Sequence, residues 1–291
     1  MSTRSNNERL GSGGPPEESP TTMAPPQMEH QHPQTLNFIT PTEFVELPSK
    51  GRFYPSNHPL YDQEVIEIKH MTTKEEDILT SQALLKKGLA IDRMLESIIV
   101  NRNVRVDDLL LGDKNALIIA ARAHGYGTLY ETGVNCPSCQ EEQQYDFDLG
   151  SLHSTSASDE YLSEHEITLT ENNTFLIPLP TTDFVIEVRL LTGHDEKNIN
   201  KTAEHKRKRN FPESPVTDFL RTMITSVNGI SDPNSLNGFI NSLPAIQAKY
   251  IRKTYDKLVP SLDLNHEFMC AHCNTSNLVE VPLNADFFWS N

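Results

Sequence analysis

The sequence predicts an α+β fold, with helical segments, short antiparallel strands and a split four-cysteine site joining two halves of the chain. Three observations predict it. Apolar residues recur at helical spacing in Ile91, Met94, Leu95, Ile98 and Ile99, whereas Val65-Ile66-Glu67-Ile68 alternates with the period of a strand. All 4 cysteines fall in two remote Cys-x-x-Cys pairs, Cys136-Pro137-Ser138-Cys139 and Cys270-Ala271-His272-Cys273. Strand-like runs follow both pairs, at residues 140–147 and 278–281, where a thioredoxin-like redox motif would need a long apolar helix.

A Cys-x-x-Cys turn aims two sulfurs at one point, and two such turns complete a zinc-ribbon-like tetrahedral shell with metal to sulfur distances near about 2.3 Å. The expected cofactor is one structural Zn2+ on Cys136, Cys139, Cys270 and Cys273. Four thiolates leave no position for water, so such an ion braces the fold and catalyses nothing. Asn274, after the second pair, tolerates the left-handed backbone these turns often need, whereas Gln140 after the first suits it less well. Disulfides and four free thiols are the competing readings. His272 reads as a bystander, since four sulfurs already suffice.

At 291 residues the chain has room for one large domain or two modest ones. Residues 1–36 are rich in proline and glycine and nearly lack apolar side chains, so a disordered tail is expected there; an N-terminal half over 37–150 and a C-terminal half over 151–291 follow. The first ten residues are polar, and no run approaches the roughly 18 apolar residues of a membrane span. A soluble, reducing compartment is therefore expected, which favours metal over disulfides. A net charge of −15 argues against broad contact with nucleic acid.

Several elements can be read in order. Residues 44–55 look like a strand broken by a Pro-Ser-Lys-Gly turn and resumed with aromatics. Thr73-Lys74-Glu75-Glu76 has the capping-box pattern for a helix carrying Ile78, Leu79, Leu84 and Leu85 and ending at Gly88; Glu75, Glu76 and Asp77 read as its solvated first turn. A second helix is expected over 90–100, and a third, capped by Asp113, over 114–124. Strands lead into and away from the first cysteine pair, and a serine-rich linker or exposed loop spans 150–163. A hairpin turning at Glu171-Asn172-Asn173 and a strand over 184–191 come next. A polar helix from Thr192 ends in the basic run Lys206-Arg207-Lys208-Arg209, another helix covers 216–227, and Asp232-Pro233 and Pro244 open two more.

The basic run reads as the cationic end of its helix, with Lys206 and Arg207 as an alternative contact for an acidic partner surface. Phe287, Phe288 and Trp289 are core by the first reading and a docking patch by the second. No phosphate-binding glycine loop, His-Glu-x-x-His or Gly-x-Ser-x-Gly is present, and His70, His124 and His194 look like ordinary surface or helix-end residues. An enzyme using Glu75 or Asp113 as acid and base, and a nucleic-acid-binding ribbon using Lys206 to Arg209, are the weaker alternatives.

Taken in order, Leu47-Pro48-Ser49-Lys50-Gly51-Arg52-Phe53-Tyr54-Pro55, Glu75-Glu76-Asp77-Ile78-Leu79, Gly112-Asp113-Lys114-Asn115-Ala116 and the first cysteine pair resemble the baseplate hub assembly proteins of T-even-like contractile-tailed phages. The second cysteine pair, Val281-Pro282-Leu283 and Phe287-Phe288-Trp289 resemble the same family, so the likeness covers roughly residues 40–291. It implies a non-enzymatic virion protein, assembled in the host cytoplasm, that binds hub, tail tube or wedge subunits, with self-association also open. The resemblance leaves a retained subunit and a transient assembly factor both standing.

Overall fold

The computed structural model describes residues 39–283 and 285–288, so the expected disordered tail over 1–36 and Trp289 lie outside the described residues. The chain is a mixture of helices and short antiparallel strands. It opens with the hairpin β1 (Thr42–Glu46) and β2 (Val65–Lys69), in which Val45 faces Ile66. The segment between them turns tightly at Lys50 and Gly51, both with positive φ. A Cβ on Gly51 would lie 2.3 Å from the Gln63 nitrogen, so only glycine fits this turn.

The first helix, α1 (Thr73–Thr80), does carry a capping box, but one residue earlier than expected, with Thr72 as the cap and Glu75 as its partner. Glu75 is buried rather than solvated. One of its carboxylate oxygens accepts from the Thr72 amide and hydroxyl, and the other accepts from the Ser97 hydroxyl at 2.5 Å. The expected continuous helix breaks at Ser81 into α1 and the single turn α2 (Gln82–Leu85). Helix α3 (Ala90–Ile98) buries Met94, Leu95 and Ile98 as its spacing predicts.

Helix α4 (Leu111–Tyr126) starts earlier than its sequence suggests, because Asp113 is not its cap. Asp113 is fully buried and accepts from the Ser49 amide at 2.9 Å, the Ser49 hydroxyl at 2.6 Å and the Tyr54 hydroxyl at 2.8 Å. The Tyr54 oxygen in turn accepts from the Leu110 amide, so the turn after β1 is tied to the first turn of α4. Burial pushes the Asp113 carboxyl up against the pull of these donors. Next along α4, Lys114 pairs with Asp92 at 2.9 Å and Glu196 at 2.7 Å. Arg122 donates to the Phe287 and Gly127 carbonyls. Each buried charge thus has its partners.

Strands β3 (Leu129–Asn135) and β4 (Glu142–Asp148) form a seven-residue hairpin around the first cysteine pair. The serine-rich stretch is exposed as expected, yet it holds β5 (Ser154–Thr155), paired with β10 (Ser261–Leu262), and helix α5 (Asp159–Glu164). A four-stranded antiparallel sheet follows in the order β6 (Thr168–Leu169), β7 (Thr174–Pro178), β8 (Val185–Arg189) and β9 (Ile224–Val227). Strand β9 corrects the helix expected over 216–227: α7 (Pro215–Met223) stops, and Ile224, Ser226 and Val227 pair with β8 across an irregularity in register. Ile224, Thr225 and Val227 are β-branched, which favours the pleated surface over another helical turn.

Between β8 and α7 runs the polar helix α6 (Gly193–Lys208), and after β9 come α8 (Pro233–Ser242) and α9 (Ala245–Leu258). The chain returns through β10 to a second hairpin, β11 (Asn265–Met269) and β12 (Ser276–Glu280), around the second cysteine pair. One contiguous core takes in residues from Val45 to Phe288. No helix among the described residues is long and apolar enough to cross a membrane.

Two experiments test this packing. A Cβ on Gly112 would sit 1.8 Å from the Pro260 carbonyl oxygen, whereas one on Gly238 meets nothing within 4 Å. Gly112→Ala should cost more than about 3 kcal/mol, while Gly238→Ala in α8 should be neutral or stabilising by up to about 1 kcal/mol; urea denaturation of both variants checks the contrast. The second concerns Asp195, whose carboxyl burial alone would push up, but which bidentate bonds from Arg189 and bonds from the Thr192 amide and hydroxyl hold below its ordinary value. A carboxyl depressed on folding stabilises above its unfolded value near about 4 and loses that contribution as pH falls through the folded value. The stability gap between the wild type and Asp195→Asn should therefore be wide at neutral pH and shrink below about pH 4, as read by denaturant titrations at both.

Candidate metal centre

The two cysteine turns have the same backbone design. In the first, the Gln140 amide donates to the Cys136 carbonyl at 2.9 Å and the Cys136 amide to the Glu141 carbonyl at 2.9 Å. In the second, the Asn274 amide donates to the Cys270 carbonyl at 2.9 Å and the Cys270 amide to the Thr275 carbonyl at 3.1 Å. The residue after each pair is left-handed, with φ of 64° at Gln140 and 54° at Asn274. Gln140 takes the conformation that its side chain suits poorly, because the paired strands on either side of the turn dictate it.

The turns face one another. The Cys136 and Cys273 sulfurs are 3.7 Å apart, as are those of Cys139 and Cys270, and all four sulfurs lie within 4.8 Å of one another. A disulfide needs about 2.05 Å, whereas thiolates about 2.3 Å from a tetrahedral ion stand about 3.8 Å apart. The four sulfurs therefore have the spacing of ligands around one ion. Cys136 and Cys270 are fully buried, and Cys139 and Cys273 are partly so. His272 is exposed and outside the group.

Polar contacts dock the two hairpins around this cluster. The Ala271 amide donates to Gln143 Oε1 at 2.8 Å, the Tyr145 hydroxyl to the Glu267 carbonyl at 2.9 Å, and Ser138 Oγ to Asn277 Oδ1 at 3.0 Å. Beneath it, Tyr145 packs edge-on against both Phe147 and Phe268, and Tyr130 makes the same contact with Phe287. The aromatic stack thus leads from the sulfurs into the core.

The electrostatics of the four thiols are conflicted. Bonds from the Cys139 and Ser138 amides hold the Cys136 thiol below its ordinary value against burial, and bonds from Thr275 bring Cys273 down to about 6. The Glu141 amide favours ionised Cys139, but burial and the neighbouring thiols push that group up to about 12. Four thiolates in this space need a cation to offset their mutual repulsion.

The remaining predicted residues are distributed elsewhere. Phe287 and Phe288 are buried, their rings turned into the core. Lys206 pairs with Asp218 and Arg207 with Glu213, at the end of α6. Glu75 and Asp113, the candidate acid and base, are buried and spent on structural hydrogen bonds. One cluster escaped sequence reasoning: Glu43, His70 and His124, far apart in the chain, converge at the end of the first hairpin.

The fold and site define a class: an α+β protein in which two cysteine-turn hairpins, remote in sequence, form one four-sulfur centre. The family model described as T4 bacteriophage base plate protein matches residues 40–289, and the chain belongs to that family. Membership makes it a phage baseplate protein, which implies a place in the virion tail and contacts with other baseplate proteins. Searches of curated proteins and of solved structures find no match.

If the four sulfurs share one ion, opening the shell from either side does the same damage. Cys136→Ser and Cys270→Ser should each lower stability by a similar and large amount, a sizeable share of the order of 10 kcal/mol that structural zinc contributes in small peptides. Thermal melts of the two variants side by side check this; one variant melting like the wild type would refute a shared centre.

Proposed function

We propose that this chain is a non-enzymatic structural protein of the hub region of a contractile-tail baseplate, braced by one Zn2+ and retained in the particle. Cys136, Cys139, Cys270 and Cys273 hold the ion, which clasps the half over 37–150 to the half over 151–291. Its work is to present a rigid surface to neighbouring tail or baseplate subunits.

Membership of a baseplate family over residues 40–289 carries this reading. The sulfur spacing supports the metal, and the consumption of Glu75 and Asp113 in structural bonds supports a scaffold rather than a hydrolase. On the second cysteine hairpin, Met269 and Leu278 lie diagonally across the strand pair and are 61% and 67% exposed. Apolar side chains held on such a braced hairpin suit burial by a neighbour.

Quantitative mass spectrometry of purified virions tests the reading, with the chain expected at fixed stoichiometry to the other baseplate subunits. Its absence from mature particles would replace a retained subunit with a transient assembly factor. Elemental analysis of the reduced, purified chain should find one zinc per molecule, lost together with thermal stability on chelation; a metal-free chain that melts unchanged after chelation would overturn the brace.

A further inference from the structure

The hairpin β1–β2 meets the last turn of α4 through three side chains. Glu43 projects from β1, His124 sits in the final turn of α4, and His70 follows β2, its amide anchored on the Pro41 carbonyl at 3.0 Å. Glu43 Oε2 lies 2.8 Å from His124 Nδ1 and 3.4 Å from His70 Nε2. The two imidazoles stack with ring centroids 5.5 Å apart and planes 29° apart. Each side chain is about a third exposed, at 34% for Glu43, 34% for His70 and 33% for His124, so solvent and ions reach the cluster.

One donor atom from each residue falls within 4.8 Å of the other two. Ligand atoms at about 2.1 Å from a tetrahedral ion stand about 3.4 Å apart, within the range of these separations. The donor set is chemically selective. Two imidazole nitrogens and one carboxylate oxygen suit borderline divalent transition ions such as Zn2+, Ni2+ or Co2+, while the all-oxygen shells of Ca2+ and Mg2+ do not match it. Three protein donors also leave a position for water or for a donor from another molecule, unlike the closed sulfur centre.

We propose that Glu43, His70 and His124 form a second, open, solvent-accessible site for a borderline divalent transition ion, which clamps the first hairpin to the end of α4. The site is independent of the cysteines in its residues, its ligand chemistry and its position in the chain. Because it is exposed and has fewer donors, its ion exchanges readily, whereas the sulfur-held ion does not.

The test uses the untagged full-length chain with zinc already on the sulfur centre, carrying His30→Ala and His32→Ala to silence the imidazoles of the N-terminal tail. Isothermal titration with Co2+ should reveal one further equivalent, accompanied by visible absorption without the near-ultraviolet charge-transfer band of cobalt–thiolate bonds. Adding His124→Ala or Glu43→Gln should weaken that binding at least tenfold, leave the retained zinc unchanged, and abolish the rise in Tm that Co2+ causes in the parent. No further equivalent, or an equivalent bound as tightly by both variants, would overturn the proposal. Loss of zinc from the sulfur centre in the parent would count against the brace alone, because the difference between parent and variants is still read.

Discussion

A helix can bury three charged side chains only if each meets a partner already in place, and α4 does so with Asp113, Lys114 and Arg122. Leaving one such group unpaired would cost several kcal/mol, comparable to the whole stability of a domain. The rest of the architecture follows from this constraint. Asp113 recruits the turn carrying Ser49 and Tyr54, Lys114 draws in α3 through Asp92 and α6 through Glu196, and Arg122 holds the segment carrying Phe287. Three side chains of one helix thereby fix four other parts of the chain around it.

The cysteine hairpins solve a different problem. Two short strands alone are marginal in water, and each hairpin exposes a polar face. Docked against one another, they share the aromatic contacts of Tyr145 and bury Cys136 and Cys270 completely. The two turns match, down to the left-handed residue at Gln140 and Asn274, even though the strands differ in length.

Much of this was legible in the sequence, and the failures have physical causes. The strand at Val65–Lys69, helix Ala90–Ile98 and both cysteine hairpins were readable because their signals are local: alternation, helical spacing, and the Cys-x-x-Cys turn itself. The misreadings at Glu75 and Asp113 share one origin: acidic residues near a helix start look like solvated caps unless their tertiary donors are known. Strand Ile224–Val227 was hidden because an amphipathic helix runs directly into it, and only pairing with Val185–Arg189 decides the boundary. The cluster of Glu43, His70 and His124 gave no signal, since no two of its members are close in sequence. The segments that carry the family likeness meet in space, with Ser49 and Tyr54 contacting Asp113, which is a relation no linear motif expresses.

The order of the two cysteine hairpins along the chain has a temporal consequence. A ribosome makes the β3–β4 hairpin first and must then synthesise the four-stranded sheet and α6 to α9 before the β11–β12 hairpin emerges. Contacts of such large sequence separation form late, after the intervening chain has paid its loop-closure entropy. Until then Cys136 and Cys139 lack their counterparts, and Tyr145 lacks Phe268. The four sulfurs can therefore come together only on a chain that has been translated past Cys273.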